Sequence, residues 1–207
     1  MSLSFRTLAT MSLSTLIGLG VLTIRGTTVN RASAEQFQPI KEAAMPQGFP
    51  DYTPVGQIEV KQYPAYRKAS AAGTAGFWTL FQHIRQNRVK MTAPVEMDFG
   101  DPTVETPQQR RMAFLYEAPD QGNTGTQGNV EVSDVPGATV VSIGCRGRRT
   151  SAAIAEARAE LLTFLEENKD AYTAAGPMRV MGYNSPFVPQ DQNFFEVQIP
   201  VETRKDG

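Results

Sequence analysis

The chain has 207 residues, a formal net charge of −1 and 41% hydrophobic residues, which suits one globular domain with or without a short appendage. This near-neutral charge gives no sign of a nucleic-acid-binding surface. With one cysteine, Cys145, and one histidine, His83, the composition excludes an internal disulfide and any metal site built from several cysteines or histidines.

Residues 1–34 have the order of a secretory signal peptide. Arg6 comes first, an apolar run extends from Leu13 to Ile24, and a small-residue cleavage site ends at Ala34. The apolar run is shorter than the roughly 20 residues that cross a bilayer as a helix. We therefore expect export to the periplasm or out of the cell, with cleavage after Ala34. A short membrane anchor that is retained is the alternative, because Arg25 lies between the run and the cleavage site.

Residues 35–56 contain four prolines and show no periodicity. They predict either a leader that crosses the domain surface or a linker from a membrane anchor. Regular structure is predicted to begin at residue 57, and one ligand-binding domain is predicted over residues 57–203. This domain is expected to be a monomer.

Two segments of the chain repeat the same order of patterns. Residues 58–73 and 130–147 share Ile/Val-Glu-Val, three residues, a proline and a run that ends in glycine. Each leads into a helical pattern, over residues 74–87 and 150–169, and then into two strand-like runs. We predict a duplicated β-α-β-β unit, and hence an α+β fold with two main helices on a distorted antiparallel barrel or sheet. The strand-like runs are residues 89–99, 111–117, 178–183 and 194–201.

The stretch RVKMTAPVEMDF, residues 88–99, alternates apolar and polar residues almost without error. This alternation predicts a strand, although Pro94 cannot donate a hydrogen bond to a sheet. We expect Pro94 at a strand edge or bulge, and Met91 and Met97 on the inward face. The glutamates of the strand patterns are expected to point outward; they are Glu96, Glu117 and Glu196.

Four motifs give the chain a resemblance to the SOUL haem-binding family: VKQYPAYRKA, AGFWTLFQHIRQN, KMTAPVEM, and MGYNSPFVP followed by FFEVQIPV. The resemblance covers about residues 57–202, and KMTAPV after the first helix is its most specific element. It implies a compact α/β barrel that binds haem or a related tetrapyrrole non-covalently in an apolar groove beside the first helix. The implied role is storage, scavenging or delivery, without catalysis.

A haem groove needs apolar walls and a basic rim for the propionates, and an axial ligand is optional. In the implied groove His83 is the candidate iron ligand, although a lone helix histidine is more often structural. Arg85 and Arg88 are the cations expected at the rim. A second basic turn, RGRR at residues 146–149, precedes the second helix and resembles an ordinary solvated surface. The candidate binding residues are Phe77, Trp78, Phe81, His83, Arg85, Arg88, Met91 and Met97.

Two other functions stay open at this point. The same groove could bind a different amphipathic molecule, with Glu196 or Glu96 as a polar anchor. A hydrolase-like enzyme acting on such a ligand is the least supported, because no nucleophile–base pair, phosphate loop or metal-ligand spacing is recognisable. Nucleic acid is not expected as a partner, since no strand interleaves aromatic and basic residues.

Overall fold

The computed structural model of the chain describes residues 37–74 and 76–204. Within them, two α-helices accompany one ten-stranded sheet in which neighbouring strands are antiparallel. A short 3₁₀ helix, Gln190–Gln192, precedes the last strand. In chain order the elements are β1 Ile58–Tyr63, β2 Tyr66–Ala72, α1 Gly76–Gln86, β3 Val95–Gly100, β4 Arg111–Leu115, β5 Gly125–Gln127, β6 Val130–Val135, β7 Ala138–Arg146, α2 Ser151–Glu167, β8 Tyr172–Ala174, β9 Met178–Gly182 and β10 Phe194–Thr203.

The order of the strands shows how the two halves of the chain combine. It runs β1-β7-β10-β9-β3-β4-β2-β6-β5, and β8 adds to β10. Strand β1 of the first half pairs with β7 of the second, and β6 of the second half pairs with β2 of the first. Strands β1, β2, β3 and β4 of the first half correspond to β6, β7, β9 and β10 of the second. When each strand is exchanged for its counterpart, the order from β1 to β6 is the same read in the opposite direction. This is the pseudo-twofold arrangement that the duplication predicts.

The predicted α+β class, with two main helices on an antiparallel sheet, is confirmed. The sheet stays open, however, and does not close into a barrel. Each repeated segment also forms two strands where the pattern had indicated one. The division falls at Pro64 and Pro136, which follow β1 and β6 directly and have no N–H group to continue a ladder.

The KMTAPVEM region corrects the prediction of one long strand. Strand β3 begins at Val95, directly after Pro94, and lies in the centre of the sheet between β9 and β4. A central strand cannot accommodate a proline without losing a ladder hydrogen bond, so regular pairing starts after it. Met97 is buried as expected, whereas Met91 precedes the strand and is 37% exposed.

Both helices pack on the same face of the sheet. Helix α1 covers β2, β4 and β6, and α2 covers β7 and β10, so the central strands β3 and β9 lie between the two helices. Helix α1 buries Leu80 and Ile84, and α2 buries Leu161 and Leu165. Thr150 caps α2, because its side chain accepts a hydrogen bond from the backbone N–H of Ala153 in the first turn.

The other face of the sheet forms an interior that the leader covers. The Phe49 ring meets the Tyr63 and Tyr66 rings edge-on, with centroids 4.9 and 5.3 Å away. The Tyr52 ring meets Tyr183 in the same way at 4.8 Å. Over residues 37–56 the leader therefore lies on the domain and contributes to its core.

A glycine of β7 allows the leader to cross the sheet. Val55 forms an isolated bridge with Gly144. A Cβ atom on Gly144 would lie 2.1 Å from the carbonyl oxygen of Thr53, closer than any side chain permits. The absence of a side chain at this position is thus a condition for the leader's path.

Candidate functional site

A strip of the sheet remains between the two helices. Phe114, Val95, Gly182 and Phe195 are register partners on β4, β3, β9 and β10, so they form one row on the helix-bearing face. Phe114 is buried in the cluster under α1 and Phe195 in the cluster under α2, whereas Val95 is only partly buried. We call this strip, whose base is formed by Val95 and Gly182, the central furrow.

Three rings of α1 form an accessible group beside this furrow, here called the aromatic cluster: Phe77, Trp78 and Phe81. Phe77 and Phe81 are one helical turn apart and lie nearly parallel, with centroids 6.2 Å apart. Trp78 meets them edge-on at 5.5 and 5.9 Å. Phe77 also lies 5.3 Å from Phe114, which ties the cluster to the floor. Trp78 is 69% exposed, so it presents a large apolar surface to solvent.

Arg85 extends the aromatic cluster toward the end of α1. Its guanidinium carbon lies 6.0 Å from the centroid of the Phe81 ring, within the range of a cation–π contact. Arg88 follows the helix with a positive φ of 54° and lines a separate, open polar cleft with Lys90 and Glu117. The structure therefore brings Arg85, but not Arg88, to the predicted aromatic residues.

His83 lies on the buried side of α1 and is 5% exposed. Its Nε2 atom is 2.9 Å from the Tyr116 hydroxyl, and its Nδ1 atom is 3.3 Å from the side-chain amide of Asn87. Burial lowers the pKa of the imidazole, which keeps the ring neutral at pH 7. Iron ligation by His83 would require one of these contacts to break.

Arg149 is a residue of the furrow that the sequence had not singled out. Its Nη1 atom lies 3.8 Å from the Met97 sulfur, and a Cβ on Gly182 would be 1.7 Å from the same atom. The guanidinium therefore crosses the sheet directly over a glycine. Burial of this end lowers the pKa of Arg149, although the residue as a whole is exposed. The predicted wall residue Met97 thus packs beneath α2 and Arg149, away from the aromatic cluster.

The interior face carries a second concentration of polar groups, built on alternate residues of the same strands. Glu96 of β3 and Glu196 of β10 are both register partners of Met181, so the two carboxylates lie two strands apart. They are 3% and 0% exposed. The expectation that these two glutamates point outward is wrong, because side chains of the neighbouring strands and the leader enclose them.

Glu196 is surrounded by donors. Its Oε1 atom accepts from the backbone N–H of Thr53 at 2.7 Å and from Lys61 Nζ at 2.9 Å. Its Oε2 atom accepts from Gln198 Nε2 at 2.6 Å and from the Tyr183 hydroxyl at 3.2 Å. Burial and the charge of Glu196 raise the pKa of Tyr183 well above its ordinary value, so the phenol stays protonated and can donate.

Glu96 is held by two cations and a phenol. Its Oε2 atom accepts from the Tyr66 hydroxyl at 2.6 Å and from Arg179 Nη1 at 3.4 Å, and its Oε1 atom pairs with Lys68. Burial by itself would raise the pKa of Glu96, but the charges of Lys68 and Arg179 outweigh it, and the pKa is lowered. Arg179 also donates to Gln198 at 2.9 Å. This joins both glutamates in one buried ion network: Lys61, Lys68, Glu96, Arg179, Glu196 and Gln198.

Other reactive groups are sparse in residues 37–74 and 76–204. No group of three or more His, Cys, Asp and Glu side chains is placed there to hold a metal ion. Cys145 is partly buried, and burial raises the pKa of its thiol to about 12, so it is protonated at neutral pH. None of the helices in this part of the chain has the length and apolarity needed to cross a membrane.

Comparison with known proteins identifies the family and the fold. The model of the SOUL heme-binding protein family matches residues 49–200, and no curated protein matches the chain. The crystal structure of the EcmrR C-terminal domain has a TM-score of 0.53 at 18% identity, over 70% of this chain and 97% of that one. A hydrolase from Listeria innocua has a TM-score of 0.51 at 12% identity, over 73% and 94%.

The EcmrR protein in its DNA complex has a TM-score of 0.55 at 17% identity, over 70% of this chain. The match spans 57% of that protein, so only part of it corresponds to the domain described here. At these identities the likeness to the solved structures concerns the fold alone.

Proposed function

Because this chain belongs to the SOUL heme-binding protein family, we propose that it binds haem or a related tetrapyrrole non-covalently at the aromatic cluster of α1. The role would be storage, scavenging or delivery, without catalysis by the protein. The structural observation that carries the proposal is Trp78. An indole that is 69% exposed and backed by two phenylalanine rings is a suitable platform for a flat, largely apolar macrocycle.

The residues of this region fit a planar ligand held by its face. Phe77, Trp78 and Phe81 would contact the macrocycle, and Arg85 would lie at one edge of it. His83 already contacts Tyr116 and Asn87, so the proposed binding does not depend on its imidazole. Bound haem would supply a redox-active iron, and the protein would orient the ring and exclude water from one side of it.

A different amphipathic molecule is the second candidate ligand, since aromatic rings beside an arginine do not require a macrocycle. Anchoring by Glu96 or Glu196 would need the buried ion network to open, because Lys61, Lys68 and Arg179 already pair with these carboxylates. The same contacts weigh against a hydrolase-like enzyme, because neither glutamate is available as a general acid or base.

The single tryptophan of the chain makes the proposal directly testable. Hemin added to the purified protein should give a saturable Soret change at one equivalent, together with quenching of Trp78 fluorescence. Linear uptake without saturation would overturn tetrapyrrole binding. A saturable Soret change without quenching would overturn its location at α1.

The variant Trp78→Ala sharpens this test. Loss of the exposed indole should weaken hemin binding about fivefold, since an aromatic contact contributes on the order of 1 kcal/mol beyond its buried area. The matched control is Val60→Ala, which removes another exposed apolar side chain on the edge strand β1. Its affinity for hemin should equal that of the unmodified protein.

We also propose that the protein is exported and cleaved after Ala34, with a retained membrane anchor as the alternative. Residues 1–36 lie outside the described structure, so this proposal rests on the signal-peptide pattern alone. Mass spectrometry of the protein from cells distinguishes the two forms. A mass that corresponds to residues 35–207 supports cleavage, whereas retention of Arg6 supports the anchor.

A further inference from the structure

Arg149 lies in the central furrow without an opposite charge. None of the ion pairs among the described residues includes it. Among the described residues, its side-chain hydrogen-bond partner is the Met97 sulfur at 3.8 Å, and a thioether is a weak acceptor. A guanidinium has five donors, and they are usually met by carboxylates, carbonyls or water. In this part of the chain no protein carboxylate or carbonyl occupies the donors of Arg149, whose Nη1 lies over Gly182 and beside Met97.

The register of the sheet gives the distance between Arg149 and the aromatic cluster. Phe114, beneath Phe77, pairs with Val95, and Val95 pairs with Gly182, beneath Arg149. Two strand spacings separate the ends of this row, which is about 10 Å. A ligand lying over Val95 could thus contact the aromatic cluster at one end and Arg149 at the other.

We propose that Arg149 anchors a carboxylate of the ligand, which then lies across the central furrow from the aromatic cluster to the start of α2. The ligand class is a flat apolar molecule with at least one acidic substituent. The inference rests on the proposed function and adds the second end of its site. A guanidinium binds a carboxylate through two parallel hydrogen bonds, and the nearby N-terminus of α2 adds to the positive potential.

Gly182 is the positioning residue in this proposal. A Cβ there would overlap the end of the Arg149 side chain and lie 3.2 Å from the terminal carbon of Met97. Both are the flexible ends of long side chains, so Gly182→Ala should fold while it moves the guanidinium off the furrow floor. Because Gly182→Ala leaves the net charge of the protein unchanged, this variant tests the position of the Arg149 guanidinium independently of its charge.

The test compares hemin with hemin dimethyl ester, whose carboxyl groups are blocked. Arg149→Gln should weaken hemin binding about tenfold to a hundredfold, the usual range for a charge-assisted hydrogen bond. Binding of the ester should not change. Gly182→Ala should reproduce the loss for hemin. Arg148→Gln, at the exposed neighbouring arginine, is the matched control and should bind both compounds as the unmodified protein does.

The outcomes separate this inference from the proposed function. If the unmodified protein binds neither compound, tetrapyrrole binding itself fails. If it binds both and Arg149→Gln leaves hemin affinity unchanged, only the role of Arg149 is overturned. Equal loss of hemin and ester affinity in Arg149→Gln would overturn it as well, because that result indicates a change in furrow shape rather than a lost carboxylate contact.

Discussion

The interior face of the sheet and the central furrow on its other face hold charge in opposite ways. On the interior face, Glu96 and Glu196 are buried and surrounded by donors of the protein. On the helix-bearing face, Arg149 crosses an apolar floor with no carboxylate beside it. The faces are built from the same strands, since Val95 and Glu96 are neighbours that point to opposite sides. The paired charges belong to the folded core, whereas the proposed ligand contact is at Arg149, which has no carboxylate partner among the described residues.

The pairing of the two interior carboxylates has an energetic reason. An ionised carboxylate transferred from water to a protein interior loses several kcal/mol of solvation, and good pairing with additional hydrogen bonds roughly offsets the loss. Such a network adds little net stability, but the removal of one member leaves the others buried and unpaired. The contrast between the faces therefore predicts where substitutions affect folding and where they affect binding.

The largest expected effect is that of Glu196→Gln. This change leaves the Lys61 ammonium buried without its negative partner and should lower the free energy of unfolding by about 3–5 kcal/mol. Urea denaturation followed by circular dichroism measures it. Glu202→Gln, at an exposed position of the same strand, is the control and should change the free energy by less than about 0.5 kcal/mol.

If the two variants prove equally stable, the interior network does not maintain the fold and the comparison fails. The folded fraction of Glu196→Gln should still bind hemin with unchanged affinity, because the furrow lies on the other face. Loss of binding by correctly folded Glu196→Gln would place the ligand in the interior instead.

An intermediate effect is expected in acid. The Lys68 and Arg179 charges lower the pKa of Glu96 in the folded protein against the opposing effect of burial, from an ordinary value of 4.5. A group whose pKa is lowered by folding stabilises the protein fully above its unfolded pKa and loses that contribution as the pH falls through the folded value. The free energy of unfolding should therefore fall steadily below about pH 4.5.

Glu96→Gln tests this assignment. Its free energy of unfolding should be lower than that of the unmodified protein at pH 7 and should change less between pH 4.5 and pH 2. If both proteins lose stability in parallel over this interval, the titration of Glu96 is not the cause. Denaturation curves at four or five pH values are sufficient for the comparison.

The smallest effect on folding is expected at the aromatic cluster. Trp78→Ala should change the free energy of unfolding by less than about 0.5 kcal/mol, because the indole is 69% exposed and makes few buried contacts. The same variant should lose hemin affinity, as proposed above. A destabilisation of 2 kcal/mol or more would be on the order of a core truncation and would indicate that Trp78 is a packing residue.

Much of the fold could be predicted from local patterns. The helical stripes of α1 and α2, the matched prolines at 64 and 136, and the repeated order of elements indicated a duplicated α+β domain, and the structure has that arrangement. The exchange of β1 and β6 between the halves was not predictable, because strand pairing joins residues far apart in the chain. The start of β3 was misplaced, since the alternation before Pro94 continues without a sheet partner.

The candidate site was predictable only in part. Helical spacing placed Phe77, Trp78 and Phe81 together, and one turn more placed Arg85 beside them. The hydrogen bond of His83 is made with Tyr116 of a distant segment, and no local sequence pattern reveals such a contact. The burial of Glu96 and Glu196 was missed for the same kind of reason. Alternation shows that two sets of residues face opposite sides of a strand, but it does not show which side is enclosed.

The sequence by itself determined the family, the two helices and the aromatic cluster, because each follows from neighbours or from repeats a few residues apart. Only the tertiary structure decided which charges are paired. Arg149 belongs to an unremarkable basic turn until β9 places Gly182 beneath it, and Glu196 is an ordinary strand residue until Lys61 and the leader reach it. Electrostatic pairing acts over a few ångströms in space, and the folded chain sets those distances.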